Sequence, residues 1–204
     1  MVFTDKSLDE CLDEIEFDRG KLIKIKRSEY EKKHLKMFTG EEPGEYIDLN
    51  PMTVLSPRYY KEIHKRILNG ECLEVNYHQI LSLDGYFKGI RDVAFISLMF
   101  LDNPPRRERD IDAYFFSEVF SNCIEWGGKD LEFNIWVSNK GSVIAIKQEN
   151  EWDYKKYIEN FKKGIAKPKG GGAGMTVIAK VPYEVGYTDN GRTTYIMITK
   201  ETKN

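Results

Sequence analysis

Asp112–Trp126 reads DAYFFSEVFSNCIEW. Its apolar residues Phe115, Phe116, Val119, Phe120, Cys123 and Ile124 recur at helical spacing, which predicts a largely buried helix. On that helix Glu118 and Asn122 stand four positions apart, so a carboxylate and a carboxamide project from one face, one turn above the other. Two buried polar groups need partners. A carboxylate beside a neutral oxygen ligand can hold a hard cation and polarise a hydroxyl or water next to it. An ordinary amphipathic helix whose Glu and Asn are hydrogen-bonded in the core fits the same spacing.

Downstream, Phe133, Ile135 and Val137 alternate, and Asn139-Lys140-Gly141 turns the chain into a second strand over Ser142–Lys147. Gln148–Asp153 leaves that strand as a polar loop, and Tyr157, Ile158 and Phe161 give Tyr154–Lys163 a short helical pattern. A basic passage with Lys162, Lys163, Lys167 and Lys169 then runs into Gly170-Gly171-Gly172-Ala173-Gly174. Gly174–Val181 reads as a helix closed by Pro182. Glu184–Thr188, the turn Asp189-Asn190-Gly191 and Arg192–Lys200 make a terminal hairpin.

The glycine run lacks the Gly-Lys-Ser/Thr end of a P-loop, and no strand precedes it with the spacing of a dinucleotide fold. What remains is a glycine-rich segment after lysines and before a helix, whose backbone amides could approach phosphate oxygens. A surface linker has the same composition.

Upstream, acidic residues between Asp5 and Asp18 surround Leu8, Leu12 and Ile15, a spacing that allows a short helix. Lys21–Lys26 alternates as a strand, and Ser28–Met37 is charged. Ser56-Pro57 opens a helix through Tyr60, Ile63, Ile67 and Leu68, with Gly70 ending it. Leu73, Val75 and Tyr77 predict a strand within Glu71–Leu83. Tyr86–Leu101 reads as a core helix stopped by Asn103-Pro104-Pro105.

With 31 basic and 33 acidic residues the net charge is -2, which gives no global pull toward nucleic acid or anionic membrane. No apolar run reaches the length of a membrane span, and the first residues lack signal-peptide order, so a soluble, cytoplasmic protein is expected. Cys11, Cys72 and Cys123 have no metal-ligand spacing and read as reduced thiols.

Taken in order, Glu118-x-x-x-Asn122 on a helix, a hairpin, a polar loop, a lid, GGGAGM, a helix and a final hairpin with Thr193-Thr194 form one pattern. It resembles the histidine-kinase-like ATPase superfamily (GHKL, or Bergerat fold), above all its small anti-sigma-factor serine kinases. The resemblance runs from about residue 71 to the C-terminus and leaves residues 1–70 as an N-terminal α+β extension. It implies an α/β fold (an α+β sandwich) with a mixed, mainly antiparallel sheet and helices packed on one face. By the same resemblance Glu118 corresponds to the acidic residue that activates the attacking hydroxyl or water, and Asn122 to the ligand of the Mg2+ bridging the phosphates of ATP. Gly170, Gly172 and Gly174 with Met175 stand where the second glycine box lines the phosphates, Lys167 and Lys169 would neutralise their charge from the lid, and Thr194 or Thr193 would help hold the adenine.

At one box the chain departs from the family. Where the family has Asp-x-Gly-x-Gly, with the Asp accepting a hydrogen bond from the adenine amino group, this sequence has Gln148-Glu149-Asn150-Glu151-Trp152. The Gln148 carbonyl can accept the same bond without charge assistance, with Asn150 beside it, but side chains as bulky as Trp152 replace the glycines of a close-approach loop. Two functions follow from the resemblance. One is an ATP-dependent serine kinase, with Glu118 as base and Asn122 on Mg2+, acting on a small signalling partner such as an anti-anti-sigma or sigma-factor-like protein. The other is an inactive module of the same fold that sequesters such a partner without nucleotide turnover. Dimerisation through residues 1–70 stays open in both.

Overall fold

The computed structural model describes residues 1–23, 57–80, 93–102, 115–119, 121–123, 130–163 and 181–203. They form a mixed α/β fold, an open six-stranded sheet with helices packed on it. The strands are β1 (Val2–Phe3), β2 (Leu73–Ile80), β3 (Asp130–Val137), β4 (Gly141–Gln148), β5 (Glu184–Thr188) and β6 (Thr193–Thr199), in the spatial order β1-β5-β6-β4-β3-β2. Every neighbouring pair is antiparallel except β1 with β5. The hairpins β3–β4 and β5–β6 stand where the turn residues put them. In the first, Ser138 N–H donates to Gly141 O at 2.9 Å. In the second, Asn190 takes the left-handed conformation (φ 55°) that Asn tolerates better than most side chains.

One face of the sheet carries the main core. Leu73 and Val75 of β2, Leu131, Phe133, Ile135 and Val137 of β3, Ile144 and Ile146 of β4, and Ile196 and Ile198 of β6 are buried there. Helix α2 (Pro57–Leu68) covers part of it with Ile63 and Ile67, four apart and both fully buried. Residues 93–97 and 115–123 add two further helical segments through Val93, Ile96, Phe115, Phe116 and Val119, residue 120 lying outside the described set.

The other face is covered by α1 (Leu8–Glu14), where Cys11 and neighbouring Ile15 pack against Trp136, Val143, Ala145, Tyr195 and Met197. A capping box holds the start of α1: Glu10 N–H donates to Ser7 Oγ at 3.2 Å, and Ser7 N–H donates to Glu10 Oε2 at 2.7 Å. With both faces covered, β4 and β6 bury residues on both sides, and for that reason Val143–Ile146 and Tyr195–Ile198 are continuous apolar runs. Residues 1–23 and 57–70 thus supply an edge strand, a helix on one face and a helix on the other to the body built by the rest of the chain.

Two expectations meet a different outcome. Within Lys21–Lys26 the described part is a single 3-10 turn, Arg19–Lys21, followed by an isolated parallel bridge from Leu22 to Cys72; residues 24–26 lie outside the described set. The segment expected as a helix to Leu101 is helical only to residue 97 in its described part. There Met99 N–H bonds to Ile96 O and Leu101 N–H to Leu98 O, and these short-range bonds tighten the chain into turns. The expected helix Gly174–Val181 lies outside the described residues up to Val181, which sits in a bend. Among the described residues, no helix is long and apolar enough to cross a membrane.

Ser142 is fully buried with the same parity as Ile144 and Ile146, opposite Val137 and Ile198, and its Oγ has no hydrogen-bond partner among the described residues. A desolvated hydroxyl in an apolar row is a net cost, so Ser142→Ala should stabilise the protein by about 1 kcal/mol. A rise in the urea midpoint at unchanged slope is the expected result; a fall would show that the hydroxyl has an acceptor in solution.

Candidate functional site

The helical segment 115–123 lies over the β4–β6–β5 side of the main core. Phe115 packs edge-on against Tyr183, with centroids 5.0 Å apart, and Phe116, Val119 and Cys123 are buried beside it. That leaves Glu118 and Asn122 half-buried on the remaining face, as their spacing requires.

Beneath them the sheet presents a row. Tyr187 of β5 pairs with Thr194 of β6, and Thr194 pairs with Ile146 of β4. Gln148, two residues beyond Ile146, has the same parity. The Cys123 thiol lies 4.0 Å from Thr194 Oγ1, and its burial pushes the thiol up to about 12, so it stays protonated.

A second helix, α3 (Tyr154–Lys162), closes the site from the side. Its N-cap Asp153 accepts a hydrogen bond from Lys156 N–H at 3.0 Å. Trp152 and Tyr157 stand 5.3 Å apart between centroids, Trp152 meets Tyr187 edge-on at 5.4 Å, and Tyr154 stacks on Tyr187 at 5.2 Å. Phe161 and Tyr157 also contact Phe3 of the edge strand, at 5.2 and 6.3 Å. The Tyr157 hydroxyl shares a hydrogen bond with the Asn122 side chain and lies close enough to feel the charge of Glu118. Burial pushes the phenol of Tyr157 up to about 12, the bond from Asn122 working against the rise, and burial pushes Tyr187 well above its ordinary range. Both rings are therefore neutral, aromatic fillers at physiological pH.

Among the described residues they leave a small space open. A cavity of about 10 Å³ is lined by Val119, Asn122, Trp152, Tyr157, Tyr187 and Thr194, among others. A cavity of roughly 10–15 Å³ holds one water molecule.

Gln148 is 7 % exposed, and its amide is committed to the backbone. Its Nε2 donates to Asn150 O at 3.1 Å and to Gly191 O at 3.0 Å, and its own N–H donates to Arg192 O at 2.9 Å. Two carbonyl acceptors on one side fix the orientation of the amide, because its oxygen could not bond either of them. The opposite atom, Oε1, is buried and has no donor among the described residues. Trp152 N–H donates to Asn190 O at 3.2 Å, and Arg192 pairs with Glu151 at 3.0 Å in an exposed ion pair. Loop 148–152 is thereby stapled to the β5–β6 turn.

The structure thus gathers Asn122 and Thr194 on one cavity, with Glu118 near its rim and Gln148 and Asn150 at the loop that walls it. Lys167, Lys169, Gly170, Gly172, Gly174 and Met175 lie outside the described residues. Sequence reading passed over Tyr157 and Tyr187 as site residues; the signal was the recurrence of Trp152, Tyr154, Tyr157 and Phe161 from the end of the polar loop into the helix after it. Among the described residues no cluster of three His, Cys, Asp or Glu side chains could hold a metal ion. No protein-family model matches the chain, and no curated protein or solved structure is significantly similar to it.

Proposed function

We propose that this chain is a regulatory module of the histidine-kinase-like ATPase type that controls a signalling partner by binding it, with the base end of its nucleotide site filled by its own side chains. The order of elements supports the reading: the helix with Glu118 and Asn122, the β3–β4 hairpin, the polar loop and the terminal β5–β6 hairpin follow one another as the resemblance requires. What favours binding over catalysis is the cavity of about 10 Å³. The carboxamide that would ligate Mg2+ is bonded to Tyr157, and among the described residues Trp152 and Tyr187 fill with aromatic rings the space beside it. Control of a partner such as an anti-anti-sigma or sigma-factor-like protein through surface contacts needs no nucleotide there.

One observation favours the kinase reading instead. Gln148 Oε1 is a buried acceptor without a donor among the described residues, at the position where the family receives the adenine amino group, and such an atom costs about 1–3 kcal/mol until a donor reaches it. Calorimetric titration with ATP and Mg2+ separates the two. The expected result is no saturable heat up to millimolar nucleotide from protein shown to be folded. Saturable, metal-dependent binding that Asn122→Ala abolishes would replace the binding module with a nucleotide-handling enzyme.

A further inference from the structure

The geometry points to α3 as a hinged cap over the cavity, latched by the hydrogen bond between Tyr157 and Asn122, whose opening exposes Cys123 without unfolding the sheet. Helix α3 buries no residue fully, whereas α2 buries Ile63 and Ile67 completely. Among the described residues it is held by half-buried ring contacts with Phe3, Trp152 and Tyr187, by Phe161 packed partly buried against the main core, and by the Tyr157–Asn122 bond. Elements held by few buried apolar contacts open at a lower free energy than the core they rest on.

The hinge has a defined place. Residues up to Trp152 are tied to the β5–β6 turn by Gln148 and by the Trp152–Asn190 backbone bond, so motion of α3 begins at Asp153, an exposed N-cap residue with φ -78° and ψ 74°. Directly under the cap, Cys123 lines the cavity with Asn122 and Thr194. The other two thiols are buried elsewhere: Cys11 lies under α1 against Trp136 and Tyr195, and Cys72 at the bridge to Leu22. Their shielding does not depend on α3. Three thiols, one beneath the cap and two remote from it, thus report local opening and global unfolding separately.

The test is alkylation of the full-length protein with iodoacetamide, each thiol followed by peptide mass mapping, in wild type and Tyr157→Phe. Comparing variant with wild type at each site cancels the intrinsic reactivity of that thiol. Loss of one hydrogen bond from the closed state should accelerate Cys123 about fivefold and leave Cys11 and Cys72 unchanged. Asn122→Ala removes the same bond from the other side, so in the double variant the accelerations are not multiplicative. An equal rise at all three thiols, no rise at Cys123, or multiplicative effects in the double variant would each overturn the latch. The proposed function stands or falls separately, on the nucleotide titration.

Discussion

Gly186→Ala should lower the unfolding free energy by about 3 kcal/mol and the melting temperature by about 9 °C. In β5, Gly186 pairs with Tyr195 of β6, and the tyrosine ring lies directly over it. A Cβ at position 186 would stand 2.0 Å from Cζ and 2.2 Å from the hydroxyl oxygen of Tyr195. The ring has nowhere to go. It is 2 % exposed, packed among Cys11, Ile15, Trp136 and Met197, and its hydroxyl donates to Lys6 O, which ties down the segment before α1. Accommodating the methyl group requires displacing the ring and breaking that bond, and these two costs, roughly 1–3 and about 1 kcal/mol, make up the total. Thermal unfolding followed by circular dichroism measures it, and a midpoint within 2 °C of wild type, a margin of about 1 kcal/mol or less, would refute the ring's placement. In a double variant with Tyr195→Ala the loss should be smaller than the sum of the two single losses, since the alanine removes the atoms the new methyl group meets.

Gly191→Ala should cost a similar amount, about 3 kcal/mol, for a different reason. Gly191 has φ 86°, in the left-handed region, and an added Cβ would lie 2.5 Å from Trp152 O and 2.6 Å from Trp152 Cδ1. Backbone strain and a clash with another stretch of backbone add together here. The consequence reaches the candidate site, because Trp152 is a wall of the cavity and Gly191 O is one of the two acceptors that hold Gln148. Trp152 should therefore move toward solvent, and its fluorescence should shift to longer wavelength. Comparison in a Trp152→Phe background isolates it from Trp126 and Trp136; a shift that persists there would mean that the change arises at another tryptophan.

These two glycines belong to a hairpin whose existence was legible in the sequence. Asp189-Asn190-Gly191 between apolar runs predicts the β5–β6 turn, and Asn139-Lys140-Gly141 predicts β3–β4, because turn chemistry is local and both signals lie within a few residues. The helical setting of Glu118 and Asn122 was legible for the same reason: periodicity of 3.6 residues needs no knowledge of what the helix packs against. So was α2, with Pro57 at its start and Gly70 after its end.

Nothing local in KLIKIK says whether the segment continues as a strand, since an apolar–basic alternation forms a strand only where a neighbour offers hydrogen bonds. In the described residues that neighbour is the single bridge at Cys72. Likewise, the acidic N-terminal segment gives no hint from its composition that Val2–Phe3 joins the sheet beside β5, 181 residues and more away in the chain, or that Cys11 and Ile15 cover its second face. Only the tertiary structure decides which residues of β4 and β6 face which layer, because their runs are apolar on both sides.

The site divides along the same line. Residue type and spacing alone determined that a carboxylate and a carboxamide share one helical face and that Gln148 opens a polar loop at the end of an apolar strand. That Tyr157 bonds Asn122, that Tyr187 and Trp152 fill the space above Thr194, and that Gln148 Nε2 is spent on Asn150 and Gly191 were decided by contacts between segments far apart in the chain. The physical reason is one of range: turns and helical faces follow from interactions within about five residues, whereas the volume of a cavity follows from how elements distant in sequence pack, and no single segment carries that information.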